Sequence, residues 1–177
     1  MSLSTRPHKG LSVRELVLFA LLGALMTLSD LLMEGLPNIH LIGLFIAATT
    51  YVYRAKALFP IYVYAFLIGA AGGFGVWWLS YLYAWPLLWA LVMLIPRRLP
   101  SPLYFVLVHA VTVLHGLAFG VITAPVLALM WGLNFKGTVS AVAAGFSFDL
   151  LHAVGNFAFG FFIYPLSKLL TRLNRGK

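Results

Sequence analysis

Asp149, His152 and Asn156 stand at i, i+3 and i+7 in the run Phe148-Asp149-Leu150-Leu151-His152-Ala153-Val154-Gly155-Asn156. A helix would therefore carry a carboxylate, an imidazole and a carboxamide on one face. Such a face can relay a proton, hold a ligand through hydrogen bonds, or knot neighbouring helices together, the simplest knot being an Asp149–His152 pair. The surroundings are apolar, and a charged Asp at the centre of a membrane costs about 2.5 to 3.5 kcal/mol, so it normally faces a protein interior or a cavity. A second polar group comprises Asp30 and Glu34, one turn apart, followed by Asn38 and His40. These could line a site or simply be solvated loop residues. His109 and His115 are too poorly phased to share a helix face, so a two-ligand metal clip from that segment alone is not expected. A haem or metal site would need one of them to meet His152 across helices; a buried, hydrogen-bonded structural histidine is the commoner outcome.

Aromatic residues form a stripe. In Trp77-Trp78-Leu79-Ser80-Tyr81-Leu82-Tyr83-Ala84-Trp85-Pro86 and on to Trp89, the side chains of Trp78, Tyr81, Trp85 and Trp89 recur at helical spacing. Trp77 and Trp78 suit an aromatic belt at a membrane interface. A stripe continuing inward to Trp89 suits instead one wall of a pocket on which a flat ring stacks.

No catalytic constellation accompanies these groups. The chain holds no His-Glu-x-x-His, no Gly-x-Ser-x-Gly, and no Gly-rich loop followed by Lys and Ser or Thr that would cradle nucleotide phosphates. It contains no cysteine, which removes disulfides, thiol nucleophiles and thiolate metal sites. Binding or transport is the expectation, with no enzyme activity and no cofactor.

The elements that must position these residues are apolar helices. The sequence is 62% hydrophobic and 9% charged, which describes a polytopic membrane protein rather than a soluble core. Segments near 14–33, 39–53, 57–72, 77–95, 103–131 and 139–170 give six expected crossings within a single all-α membrane domain spanning 1–177. The second is short for a span, so it tilts poorly, leans on its neighbours or sits partly in the interface. Short turns such as Gly35-Leu36-Pro37-Asn38 and Gly72-Gly73-Phe74-Gly75 connect them. The charge is sided. Arg6, Lys9, Arg14, Arg54, Lys56, Arg97, Arg98, Lys168, Arg172, Arg175 and Lys177 fall on one side of that topology, and only Lys136 on the other. Cytoplasmic loops carry the excess of Lys and Arg, so both termini are expected in the cytoplasm. The net charge of +8 is spread over short flanks, which suits topology and anionic lipid headgroups rather than nucleic acid. The polar start, MSLSTRPHKG, leads into a long apolar segment with no cleavage pattern, so no removable signal peptide is expected.

The first segment carries a small-residue face, Ala20, Gly23, Ala24 and Thr27, of the kind that lets another helix come close. That neighbour could be one of the protein's own helices or a separate membrane subunit.

With its size, its six expected helices and Ala20-x-x-x-Ala24, the chain resembles a substrate-binding S component of an energy-coupling factor (ECF) transporter. The runs Leu36-Pro37-Asn38-Ile39-His40-Leu41, Phe74 to Tyr83 and Phe148 to Phe157 are similar to segments of members whose substrate is unassigned. The resemblance covers essentially the whole chain. It implies tight binding of a vitamin or related micronutrient near the outer face of the plasma membrane. It also implies docking of a transmembrane coupling subunit, which carries two cytoplasmic ATPases, on the face of Ala20, Ala24 and Gly23, and toppling of the S component to release its ligand inside. S components share a fold and not a binding motif, so the expected pocket residues are those singled out above: Asp149, His152 and Asn156; Trp78, Tyr81 and Trp85; Asn38 and His40.

A ligand in such a pocket meets aromatic faces and carboxylates, with Lys136 the only fixed cation on that side, so a phosphorylated ligand is poorly matched. A neutral or cationic heteroaromatic compound fits better, in the manner of thiamine, pyridoxine or a modified purine, and a corrinoid stays open. Cobalt and nickel members rely on an N-terminal His that Ser2 does not supply. Two other classes stand beside this one: a haem-binding electron-transfer protein using His109, His115 or His152, and a stand-alone ion-coupled carrier relaying protons through Asp149 and His152.

Overall fold

The computed structural model describes residues 10–175, and the readings placed on Ser2, Arg6, Lys9 and Lys177 lie outside them, as does the side chain of Arg175. Within the described residues the chain is all-helical: α1 (Val13–Leu32), α2 (Ile42–Tyr53), a 3-10 turn (Arg54–Ala57), α3 (Leu58–Gly72), α4 (Val76–Leu94), α5 (Ser101–Leu117), α6 (Phe119–Trp131), α7 (Phe135–Gly160) and α8 (Ile163–Arg175). Five segments are long and apolar enough to cross a membrane: Val13–Leu32, Ile42–Gly72, Val76–Leu94, Ser101–Trp131 and Phe135–Gly160. The architecture is compatible with a multi-pass membrane protein.

Local chemistry sets the helix ends. Ser12 caps α1 in a capping box with Glu15. Glu15 in turn pairs with Lys56 at 2.6 Å, tying the start of α1 to the 3-10 turn. The Ile42–Gly72 segment is not one rod. Arg54 has φ 56° and ψ −124°, a conformation costly for a side chain with a Cβ, and the backbone reverses there. Two contacts hold the turn: the Arg54 guanidinium donates to the Met93 carbonyl at 3.3 Å, and Trp89 Nε1–H donates to the Arg54 carbonyl at 3.0 Å.

Helix directions follow from who touches whom. His40 sits beside Trp85, and Arg54 beside Met93, so α2 runs the same way as α4. Tyr64 sits beside Trp85, and Trp78 donates to the Ala65 carbonyl, so α3 runs against α4. Phe19 stacks on Phe59 and Asp30 meets Tyr64, so α1 runs with α3.

Prolines sit inside α4 and α6, where each removes a backbone bond. At Pro86 a tyrosine answers the freed carbonyl, Tyr62 Oη donating to Leu82 four residues earlier. At Pro125 the freed carbonyl is that of Val121, and Tyr83 Oη donates to the neighbouring Ile122 carbonyl at 2.8 Å, tying α4 to α6.

Two sequence expectations change. The segment expected over 139–170 is divided at Phe161 and Phe162 into α7 and α8. Pro165 cannot donate to the Phe161 carbonyl, and α8 turns its Ile163, Ser167 and Leu170 inward while Lys168 and Arg172 stay exposed. It packs chiefly on α2. The small-residue face of α1 also splits. Gly23 is buried, its missing Cβ making room for Val63 and for the Pro60 carbonyl of α3, so it does not belong with the exposed Ala20 and Ala24.

Candidate functional site

The largest fully buried side chain is Trp85 of α4, and the site forms around it. Tyr81, one turn earlier, meets Trp85 edge to face at 5.2 Å. Phe119 at the start of α6 lies 5.3 Å from Trp85 and 4.9 Å from His152 of α7. Tyr64 of α3 completes the wall at 6.2 Å from both Tyr81 and Trp85.

The connection from α1 to α2 closes this space from above. Asn38 adopts the left-handed conformation, φ 56°, that Asn tolerates better than most residues, and so directs the next two residues inward. His40 then stands edge-on to His152 at 4.6 Å and to Trp85 at 5.6 Å. Its Nδ1 accepts from the Ile42 N–H at 3.4 Å, which leaves the proton on Nε2. The apolar rings around it push the His40 imidazole down to about 4, so it is neutral at pH 7.

Beneath this connection lies a cavity of about 260 Å³ whose lining includes Asp30 of α1, Glu34 just beyond its end, Asn38, His40, Tyr81, Phe119 and His152. An adjoining hollow of about 550 Å³ shares Asn38, Tyr81 and Phe119 and extends to Trp77, Thr123 and Trp131. Asp30 accepts from Tyr64 Oη at 2.8 Å.

The polar atoms of the cluster are under-used. His152 is 1% exposed, and neither ring nitrogen has a hydrogen-bond partner among the described residues. Trp85 Nε1 and His115 Nδ1 are likewise buried and unpartnered. His115 Nε2 lies 2.9 Å from the Ala84 carbonyl and must carry the proton, so its Nδ1 is an acceptor. Each such buried group costs about 1 to 3 kcal/mol when left unsatisfied, so this cluster keeps unused hydrogen-bonding capacity at the expense of stability. Among the described residues no three His, Asp or Glu side chains gather into a metal-holding set. His40, His115 and His152 meet through ring edges and faces.

The structure distributes the expected site residues unevenly. Asn38, His40, Tyr81 and His152 line the cavity, and Trp85 backs it. Asp149, His152 and Asn156 do share a buried face, but with separate tasks. Asp149 Oδ1 accepts from the Gly120 N–H at 2.9 Å, capping α6 where the α5–α6 segment breaks at Ala118, and makes no hydrogen bond to His152. Asn156 Nδ2 donates to the Thr112 carbonyl at 2.8 Å, with Gly43 and Gly116 making room for its amide. Trp78 turns away toward α3, bonding Ala65 at 2.7 Å over Gly69. His109 meets the Phe157 carbonyl at 3.0 Å and ties α5 to α7. Tyr64 and Phe119 were not singled out by the sequence. Each is one aromatic in an apolar run, and only the proximity of Asp30 to α3 marks Tyr64.

Asn156→Ala is therefore expected to lower stability by about 1 to 3 kcal/mol through the lost bond and the void between two glycines. Binding per folded molecule should persist. A thermal midpoint measured beside a ligand titration separates the two, and a variant of unchanged midpoint that no longer binds would return Asn156 to the site.

The chain matches no known protein family, no curated protein and no solved structure.

Proposed function

We propose that the protein binds a small vitamin-like molecule at one end of its helical bundle and delivers it across the plasma membrane as the S component of an ECF transporter. The observation that carries this reading is His152, which lines a cavity of about 260 Å³, is almost wholly buried, and has two ring nitrogens that no described residue uses. A residue kept at such a cost is accounted for by a ligand that supplies its hydrogen bonds.

The topology supports the same reading. With the reversal at Arg54, the Ile42–Gly72 segment supplies two crossings, and six in total return the chain to the side on which it began. The Glu15–Lys56 pair, Arg54 and Arg97 then lie together on the Lys- and Arg-rich side, which the charge rule assigns to the cytoplasm, and the cavity lies on the outer side. Ala20 and Ala24 offer a partner helix an exposed small-residue path along α1. The partner would be a transmembrane coupling subunit bearing two ATPases, where all ATP hydrolysis would reside. A carrier relaying protons from Asp149 to His152 has less support, because the Asp149 carboxylate is engaged with the Gly120 N–H.

Native mass spectrometry of the gently purified protein, with extraction of whatever travels with it, tests the reading. One small organic molecule per chain, lost on His152→Ala, is the expected result. Co-purified haem would move the protein to the redox class, and ligand uptake in liposomes without any ATPase partner would replace the S-component reading with a carrier.

A further inference from the structure

We infer that the cavity beneath the Met33–His40 connection selects an organic monocation: a flat body of one or two rings whose positive charge sits at Asp30 and Glu34 and whose polar edge reaches His152. The inference rests on the binding reading above and names the ligand class.

The chain has only four acidic side chains. Glu15 is taken by Lys56, and Asp149 by the Gly120 N–H. The remaining two, Asp30 and Glu34, both line this one cavity, and no Lys or Arg lines it with them. Asp30 is half-buried and its hydrogen bond comes from the neutral Tyr64 hydroxyl, so its charge has no ionic counterpart there. Glu34 stands on the exposed rim. His40 is neutral and cannot balance them.

An independent observation marks the same cavity as a ligand site. His152 is 1% exposed, lines it, and keeps both ring nitrogens unpartnered among the described residues. A neutral imidazole offers one donor and one acceptor, so the ligand edge facing it must supply the complement. The rings of Tyr81 and Phe119 line the same cavity, Phe119 4.9 Å from His152, and an aromatic face attracts a flat cation. An anionic ligand would face two carboxylates with no cation beside them, and a neutral one would leave the half-buried Asp30 without a counter-charge.

The test uses three probes of closely similar size and shape: 2-phenylethylammonium, 2-phenylethanol and phenylacetate. Binding to the purified full-length protein in detergent is followed by tryptophan emission, to which Trp85 contributes, and by thermal shift. The ammonium is expected to bind at least about tenfold more tightly than the alcohol, with the acetate weakest. Asp30→Asn should erase that preference, and Glu34→Gln should reduce it. If Asp30→Asn does not fold, the rim variant Glu34→Gln carries the comparison. Equal binding of the alcohol or the acetate, a preference unchanged in the variants, or no response to any probe overturns the inference. Uptake separates it from the broader reading. A cation that binds but is not taken up with a coupling module defeats the transport proposal and leaves the ligand class standing. Coupled uptake of a neutral or anionic compound does the reverse.

Discussion

His152→Leu is expected to make the ligand-free protein more stable and to abolish ligand binding. Most substitutions of a fully buried side chain destabilise, so the sign is the informative part. His152 sits among His40, Phe119 and Trp85 at ring distances of 4.6, 4.9 and 6.2 Å, an environment suited to an apolar side chain. Its two nitrogens are buried without partners among the described residues. Leucine removes both unsatisfied atoms while filling a similar space, and the expected gain is about 1 to 2 kcal/mol after some repacking strain. The same change deletes the donor and acceptor offered to the ligand, so affinity should fall by at least about a hundredfold. His115→Leu supplies the contrast. His115 bonds the Ala84 carbonyl through Nε2, so its replacement breaks an existing contact and should lower stability. Ligand-free thermal midpoints and titrations of the two variants check the pair. A His152→Leu protein that is less stable and binds normally would make His152 a packing residue.

Much of this site was legible in the pattern of residues, and the exceptions have physical causes. The i, i+3, i+7 spacing on α7 placed Asp149, His152 and Asn156 on one buried face. It could not say which groups they would meet, because the partners are backbone atoms of Gly120 and Thr112, and periodicity carries no information about a carbonyl or N–H on another helix. The aromatic stripe of α4 placed Tyr81 and Trp85 together but misplaced Trp78, which follows the gap that Gly69 opens on α3. Gly23 was grouped with Ala20 and Ala24 by spacing, yet they lie on opposite sides of a contact line that only the α1–α3 packing defines. The division of the last apolar segment had a visible signal in Pro165, outweighed by the unbroken hydropathy around it. Helix faces are local properties and follow from sequence; the partner across each face is a tertiary property.

Ala24→Trp is expected to abolish uptake while leaving ligand binding and stability unchanged. Ala24 is exposed on α1, on the side away from Val63 and Pro60, and its neighbours Val17, Leu21 and Leu28 are exposed as well. An indole there meets no internal group, so the fold should shift by no more than about 0.5 kcal/mol, and the cavity residues at the far end of α1 keep their contacts. A partner helix packing on Ala20 and Ala24 would meet it at once. Helices in lipid associate through close van der Waals contact, which a bulky side chain at the crossing removes. Transport in vesicles holding the coupling module should therefore fall by at least about a hundredfold, with the titration of the isolated protein unaltered. Phe66→Trp, at an exposed position on α3, controls for general effects of an added indole and should transport normally. The same change at Gly23 should instead separate α1 from α3 and unfold the protein, because that position has no room even for a methyl group. Uptake by Ala24→Trp at the wild-type rate would mean that the partner docks elsewhere, and a loss of binding together with uptake would mean that this face of α1 supports the cavity rather than a second subunit.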